Sequence, residues 1–471
     1  MKKSHSIFCR LAWPIVFSSS AFLARPAVFS TIVTNGPATN RVNLVFFSEG
    51  YTGSQMGQFL IDATNAANFF LSAEPYAEYS NYFNVFAIAT NSAHSGSTHL
   101  NSFPFVANYT CFNSTYDSSS DWLITIPPNT VDANSSDGQG KINSLLKSYL
   151  PGTNNNLPAL LVNDPTPGGS DGGSSDYGKT AITSVGGELS YILVHESGHT
   201  LGGLGDEYST AYPGFPDVEE PNTTTNTTLS KIQWKAWIST NTPIPTPGTY
   251  ADTVGLFLGA HYHTNGWYRP FENCCMQSSG VGFCPVCQEA LVLAIYGKTR
   301  PIDARSPVTN SLTVTSAQML AFSLNLLKPA THNLTVQWRT NNVAVSGATN
   351  PVFNIWPSQL GNGTQKVEAD VWDATDMVRT DTKNVLKQTN IWTLNQSLPT
   401  LQIDSATWQT NGSFTFRVTG TAPDGVVIQI STNLLQWTNV QTNFFSSGKL
   451  FYTNADAATF SKHFYRAETP P

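Results

Sequence analysis

One stretch constrains this chain more than any other: HESGHTLGGLGDEY, residues 195–208. It follows an apolar run, Leu189, Tyr191, Ile192, Leu193 and Val194, so its histidines should arrive on a buried helix. On that helix His195 and His199 lie four residues apart and project from one face. Two imidazoles so placed can reach one Zn²⁺ at about 2.0–2.1 Å each. Glu196 lies one step round, where its carboxylate can take a proton from a polarised water and return it to a leaving amine. Gly202, Gly203 and Gly205 then break the helix, because glycine accepts positive φ. The chain can turn back and offer Asp206 or Glu207 as third ligand, leaving the fourth position to water. Asp206 is the expected ligand and Glu207 the alternative; the one not used would orient a ligating imidazole through its free N–H. A histidine pair on one helix face is often an ordinary packing feature, but the glycine break and the carboxylates favour metal-assisted peptide hydrolysis.

A second constellation lies between residues 255 and 290, with GLFLGA, GWYRP, a Cys-x-Met ending at Met276, and FCPVC. Together with HESGHTLGGLGDEY, NLVFFSEGYT, EPYAEYSNYFNVFAI and SSDYGKTAI, these segments resemble the bacterial IgA-peptidase family of zinc metallo-endopeptidases, over roughly residues 40–295. The resemblance implies a zincin-like catalytic domain with zinc on His195 and His199 and with Glu196 as general base. It also implies that Met276 is the "Met-turn", an apolar floor beneath the ligands; the plainer reading is a core methionine filling a gap. In the metzincin pattern HExxHxxGxxH or HExxHxxGxxD, Gly202 matches the glycine but the ligand position falls on Gly205. Asp206 comes one residue late, so the loop must differ from the usual turn. Ser197 stands where the family usually has an aromatic residue, and Cys275 where it usually has a basic one. Neither change removes a catalytic group.

His261 and His263 form a His-x-His pair that is more often solvated than metal-bound. Tyr268 and Arg269 are better placed to shape a cleft. The Tyr268 hydroxyl could stabilise an oxyanion, or it could belong to a half-buried ring satisfied locally. Of the six cysteines, Cys9 falls in the N-terminal leader. Cys111, Cys274, Cys275, Cys284 and Cys287 remain, and their simplest accounting is two disulfides and one free thiol. Cys274, Cys284 and Cys287 match family positions, whereas Cys111 and Cys275 do not and could pair with each other. A structural zinc in the Cys274–Cys287 cluster is the alternative, and the pairing stays open.

Residues 1–29 read as a signal peptide, with Lys2, Lys3 and Arg10 flanking an apolar stretch from Leu11 to Leu23, and Ala24-x-x-Ala27 as cleavage region. No other segment approaches 18 apolar residues in a row, so no integral membrane segment is expected in the mature chain. The expectation is a protein exported to the outside, the cell surface or the periplasm. Only 12% of the 471 residues are charged and the net charge is −7. With no basic tract or phosphate-cradling loop, nucleic acid is not an expected partner.

The fold class expected is an α/β (α+β) zincin-like metalloprotease domain followed by two small all-β sandwich domains. Strands are predicted at Val42–Phe47, Tyr82–Ala89, Trp122–Ile126, Pro158–Val162 and Ala181–Val185, and helices over 54–71 and Ile142–Leu150. Asn154–Asn156, Pro165–Asp176 and Tyr212–Thr228 read as loops. Beyond Arg300, SLTVTSA, LTVQWRT, KVEADVWDA, SFTFRVTG and VVIQIS alternate apolar and polar residues, which predicts antiparallel β structure. The domain plan is catalytic 30–300, immunoglobulin-like 306–393 and a C-terminal sandwich 397–471, with Trp338, Trp372 and Trp437 as core aromatics. Functionally, the sequence favours a secreted zinc endopeptidase acting on extracellular protein or peptide. The alternatives are a non-catalytic cell-surface or glycan-binding protein on a protease scaffold, and a zinc hydrolase of a small ester or amide.

Overall fold

The computed structural model describes residues 27–101, 106–118, 122–127, 138–171, 180–187, 189–314, 318–360, 363–396, 400–420, 425–445, 448–459 and 461–469. The expected leader up to residue 26, and most of SSDYGKTAI, lie outside these. The chain forms two compact units: one of Met1–Thr34, Asn43–Phe70 and Asn84–Thr200, the other of Asn35–Val42, Leu71–Phe83 and Leu201–Pro471. Among the described residues most regular elements are β-strands, arranged in several sheets, with few helices.

In the first unit the elements are β1 (Val28–Val33), β2 (Val42–Glu49), α1 (Met56–Phe70), β3 (Phe83–Ala89), β4 (Thr98–His99), β5 (Thr115–Tyr116), β6 (Ile124–Thr125), α2 (Gly138–Tyr149), β7 (Asn156–Val162), β8 (Gly169–Ser170), β9 (Ala181–Ser184) and α3 (Leu189–Gly202). A six-stranded sheet runs in the order β1-β3-β2-β7-β9-β8. β2, β7 and β9 are parallel, while β1 and β8 are antiparallel to their neighbours. Every residue of β2 and β3 is buried, Asn43, Ser48, Glu49 and Asn84 included, so neither strand shows an apolar–polar alternation. α1 turns Phe59, Ala63, Ala66, Ala67 and Phe70 inward, the stripe its spacing predicts.

One departure bears on the site. The segment read as a loop over Pro165–Asp176 contains β8, because its glycines serve close packing. A Cβ on Gly168 would lie 2.8 Å from the Trp122 carbonyl oxygen and 2.9 Å from the Tyr116 ring. One on Gly169 would lie 2.4 Å from Ile192 Cγ2 on α3.

The second unit contains the hairpin β10 (Phe257–Ala260) and β11 (His263–Arg269), then α4 (Pro285–Lys298). Beyond it lie two pairs of sheets. In the first pair, β12 (Ile302–Ser306), β14 (Leu320–Leu326) and β17 (Val352–Ile355) form one sheet. β13 (Ser311–Val314), β19 (Lys387–Gln396), β18 (Thr364–Trp372), β15 (Thr335–Thr340) and β16 (Val343–Ala344) form the other. Both contribute to one core around Phe322, Trp338, Phe353 and Trp392. The Trp338 and Trp392 rings stack at 5.8 Å. In the second pair, β20 (Leu401–Trp408), β21 (Phe414–Gly420) and β24 (Lys449–Asn454) share a core with β22 (Val426–Ser431), β23 (Thr438–Asn443) and β25 (Phe464–Glu468). Two expectations fail here. β13 runs parallel to β19, since alternation reports which face is buried and not strand direction. Trp372 and Trp437 are only half-buried, the latter covered by the Arg466 guanidinium at 4.4 Å.

A polar knot ties the segment Leu71–Phe83 and α4 to the first pair of sheets. Tyr79 and Tyr296 donate to Asp373 at 2.8 and 2.7 Å, and His332 bridges Asp373 and Glu78 at 2.7 Å each. Among the described residues no helix is long and apolar enough to cross a membrane.

Candidate active site and metal centres

α3 delivers its histidines as their spacing requires. The Nε2 atoms of His195 and His199 are 3.2 Å apart, and both side chains are half-buried. Two nitrogens on one tetrahedral zinc stand about 3.3 Å apart, from bonds of about 2.0–2.1 Å, so the pair fits such an ion. α3 ends at Gly202, and Gly203 takes φ +63°, the left-handed turn that stops a helix. Within this one continuous run of chain, ligand atoms of His195, His199 and Asp206 lie within 4.8 Å of one another.

Glu196, between the histidines in sequence, is buried. A Cβ on Gly169 would lie 3.1 Å from its Oε1, so the β8 backbone passes directly over this carboxylate. The Gly169 N–H already donates to the Trp122 carbonyl at 2.9 Å.

Glu207 belongs to a different group. Its side chain and those of Cys274, Cys284 and Cys287 also offer ligand atoms within 4.8 Å of one another, and all four are buried. Burial pushes the Glu207 carboxyl well above the usual range, and the charge of Cys274 adds to this. Hydrogen bonds from Asn222 and Cys287 and the Arg269 charge oppose it. Among the described residues the two disulfides expected from the cysteine count do not form: Cys111, Cys274, Cys284 and Cys287 keep their thiols. The physical reason is a four-membered cluster in place of pairs, with Cys274 and Cys287 sulfurs 3.6 Å apart.

Other expected residues sit elsewhere. His261 is buried, 3.1 Å from Glu220 and 2.6 Å from the Pro216 carbonyl. His263 lies 3.5 Å from Asp217. Neither joins a metal group among the described residues. Tyr268 is half-buried, with its backbone paired to Thr224 in both directions. Met276 is fully buried and its carbonyl accepts the Glu207 N–H at 2.9 Å.

Two residues escaped sequence reasoning. Tyr262 donates its hydroxyl to Asp206 Oδ2 at 2.9 Å, from a backbone held at φ +56° beside His261 at φ +52°. Such consecutive left-handed non-glycine residues mark a constrained segment. Asn222 clamps the break, accepting from Gly205 N–H at 2.7 Å and donating to the Gly205 carbonyl and to Glu207 Oε1. In sequence Tyr262 was hidden between two more conspicuous histidines, and Asn222 in a tract read as a loop.

No curated protein matches the chain. Among solved structures, apo β-glucuronidase 3 of Bacteroides uniformis is 9% identical, covering 44% of this chain and 27% of that one, with a TM-score of 0.14. A chaperone–tip adhesin complex of CFA/I fimbriae biogenesis is 7% identical, covering 36% and 98%, also with a TM-score of 0.14. Likenesses that slight carry no argument about fold or function. The family model for IgA peptidase M64 matches residues 31–253 and 248–295. That is more than half of the chain, and its members are metallopeptidases. The chain belongs to the IgA peptidase M64 family.

Proposed function

We propose that this peptidase is a secreted zinc-dependent endopeptidase that cuts extracellular proteins or peptides. The observation that carries the reading is the grouping of His195, His199 and Asp206 on the run of chain that also holds buried Glu196. Zinc, when bound, supplies Lewis acidity to the scissile carbonyl and to the attacking water. His195, His199 and Asp206 would hold the ion. Glu196 accepts the water's proton on its carboxylate as the new C–O bond forms. It returns that proton to the amine nitrogen as the C–N bond breaks. Tyr262 fixes Asp206 through its hydroxyl. Met276 serves as the packed floor, and Tyr268 borders the cleft as the group nearest in kind to an oxyanion donor.

In this reading residues 30–300 are a zincin-like catalytic domain, and 306–393 and 397–471 are two β-sandwiches. The pairs of sheets sharing one core each support the latter. The leader 1–29 exports the chain. Exposed Trp408, Phe444 and Phe451 favour surface or glycan contact by the last domain alongside catalysis.

The test is digestion of a denatured protein mixture by the purified protein, with and without a zinc chelator. The reading expects internal cleavage that stops on chelation and returns with zinc. Undiminished cleavage after zinc removal, or hydrolysis of small esters with no proteolysis, overturns it.

A further inference from the structure

We infer that the chain carries a second, structural zinc, held by Cys274, Cys284, Cys287 and Glu207 and distinct from the His195–His199–Asp206 group. Around one tetrahedral zinc, bonds of about 2.3 Å to sulfur and about 2.0 Å to oxygen place two sulfurs about 3.8 Å apart and sulfur and oxygen about 3.5 Å apart. Here Cys274 and Cys287 sulfurs are 3.6 Å apart, and Cys287 Sγ lies 3.5 Å from Glu207 Oε1. The backbone N–H of Cys284 donates to Cys274 Sγ at 3.3 Å, which holds that sulfur in place within the cluster.

The orphan atom is decisive. Glu207 is fully buried, and its Oε2 has no hydrogen-bond partner among the described residues. A buried carboxylate oxygen with no donor is costly. A disulfide between any two of the three cysteines would leave that oxygen, and the third thiol, unanswered. A cation between the three sulfurs and the carboxylate answers the thiols, and it answers the orphan when it binds through Oε2, since Oε1 already accepts from Asn222. Three sulfurs and one carboxylate select zinc over magnesium or calcium. Each thiol releases its proton to solvent as its sulfur binds. With four protein ligands in a buried setting, the site is closed and therefore structural.

The site also has a place in the architecture. Cys274 sits in the turn that contains Met276, and Cys284 and Cys287 begin α4. Glu207 follows Asp206 directly, so this zinc pins the peptide next to the catalytic carboxylate. That last consequence rests on the proposed catalytic reading; the metal site itself does not.

The test is a zinc count on the full-length exported protein, purified without chelator or reductant. Wild type should hold two zinc ions per chain, and the double variant His195→Ala, His199→Ala should keep one. Replacing that remaining zinc with cobalt should give the intense near-ultraviolet band of thiolate-to-cobalt charge transfer, a readout independent of activity. Cys287→Ser should lose one zinc, and Glu207→Gln should bind it at least about 10-fold more weakly. A single zinc in wild type with none in the histidine variant overturns the inference. So does cobalt without the thiolate band, or cysteines found oxidised in the active protein. Failure of peptide cleavage alone would strike only the catalytic reading, since the zinc count and the cobalt spectrum would stand.

Discussion

Two groups with the ligand atoms to hold a metal ion include neighbouring residues, Asp206 and Glu207, and differ in nearly every physical respect. The His195–His199–Asp206 group is half-buried and offers three ligands, two of them nitrogen. The Glu207–Cys274–Cys284–Cys287 group is buried and offers four, three of them sulfur. An open position and partial exposure suit an ion that must meet substrate and water; closure and soft ligands suit one that holds loops together. Successive carboxylates facing different partners show how little chain is needed to separate the two tasks.

Chelation should give the largest effect. A dilute chelator is expected to strip the half-buried site first, abolishing cleavage while the thiolate-bound zinc remains; simultaneous measurement of activity and residual zinc checks this. Loss of both ions together would erase the distinction between the groups. Next, Gly169→Val should wedge β8 off Ile192 and Glu196, at a cost of about 1–3 kcal/mol in urea unfolding and with most activity lost. Unchanged stability would mean that β8 does not seat α3. Tyr262→Phe removes one hydroxyl from Asp206, and zinc affinity at the histidine site should fall by about 10-fold in a competition assay, with the thiolate site untouched.

The smallest effect lies away from both groups, at His332. Burial pulls its pKa down, but hydrogen bonds and charge from Asp373 and Glu78 outweigh this and hold it above its usual value. Its contribution is therefore present below the unfolded value of about 6.5 and lost as pH rises through the folded one. Glu78 is held low: burial would raise it, but bonds from Thr331 and His332 prevail. Its share is present above about 4.3, the unfolded value, and lost as pH falls through the folded one. The two windows overlap between these unfolded values, where His332→Ala should lower Tm by a few degrees, and by less at about pH 8.5. The His332 side chain is 31% exposed, so solvent screening keeps the effect small. An equal loss at both pH values would mean that His332 contributes packing and not charge.

Much of this was legible because it is local. The α1 stripe, the apolar runs of β2 and β3 and the histidine spacing on α3 each follow from neighbours within two turns. The parts that were not legible depend on distant chain. Whether Asp206 or Glu207 turns toward the histidines is set by Asn222 and by Tyr262, 56 residues from the carboxylate it binds. Glycine at 168 and 169 reads as looseness in sequence, yet serves close approach to Trp122, Tyr116 and Ile192. Cysteine counting favoured pairs over a metal cluster at Cys274–Cys287, and Glu207 became visible as the fourth member only when α4 and the Cys274 turn converged on it. Trp338 was correctly read as core, while Trp392, its stacking partner, went unnoticed among the alternating residues of β19.

The most direct measurement compares peptide cleavage by wild type and Glu196→Gln at matched zinc content. The account predicts the same zinc in both proteins and a fall in kcat of about 10²–10⁴-fold in the variant, since only the proton-carrying carboxylate has changed. Full activity in Glu196→Gln with zinc in place would contradict it and would move proton transfer to another group.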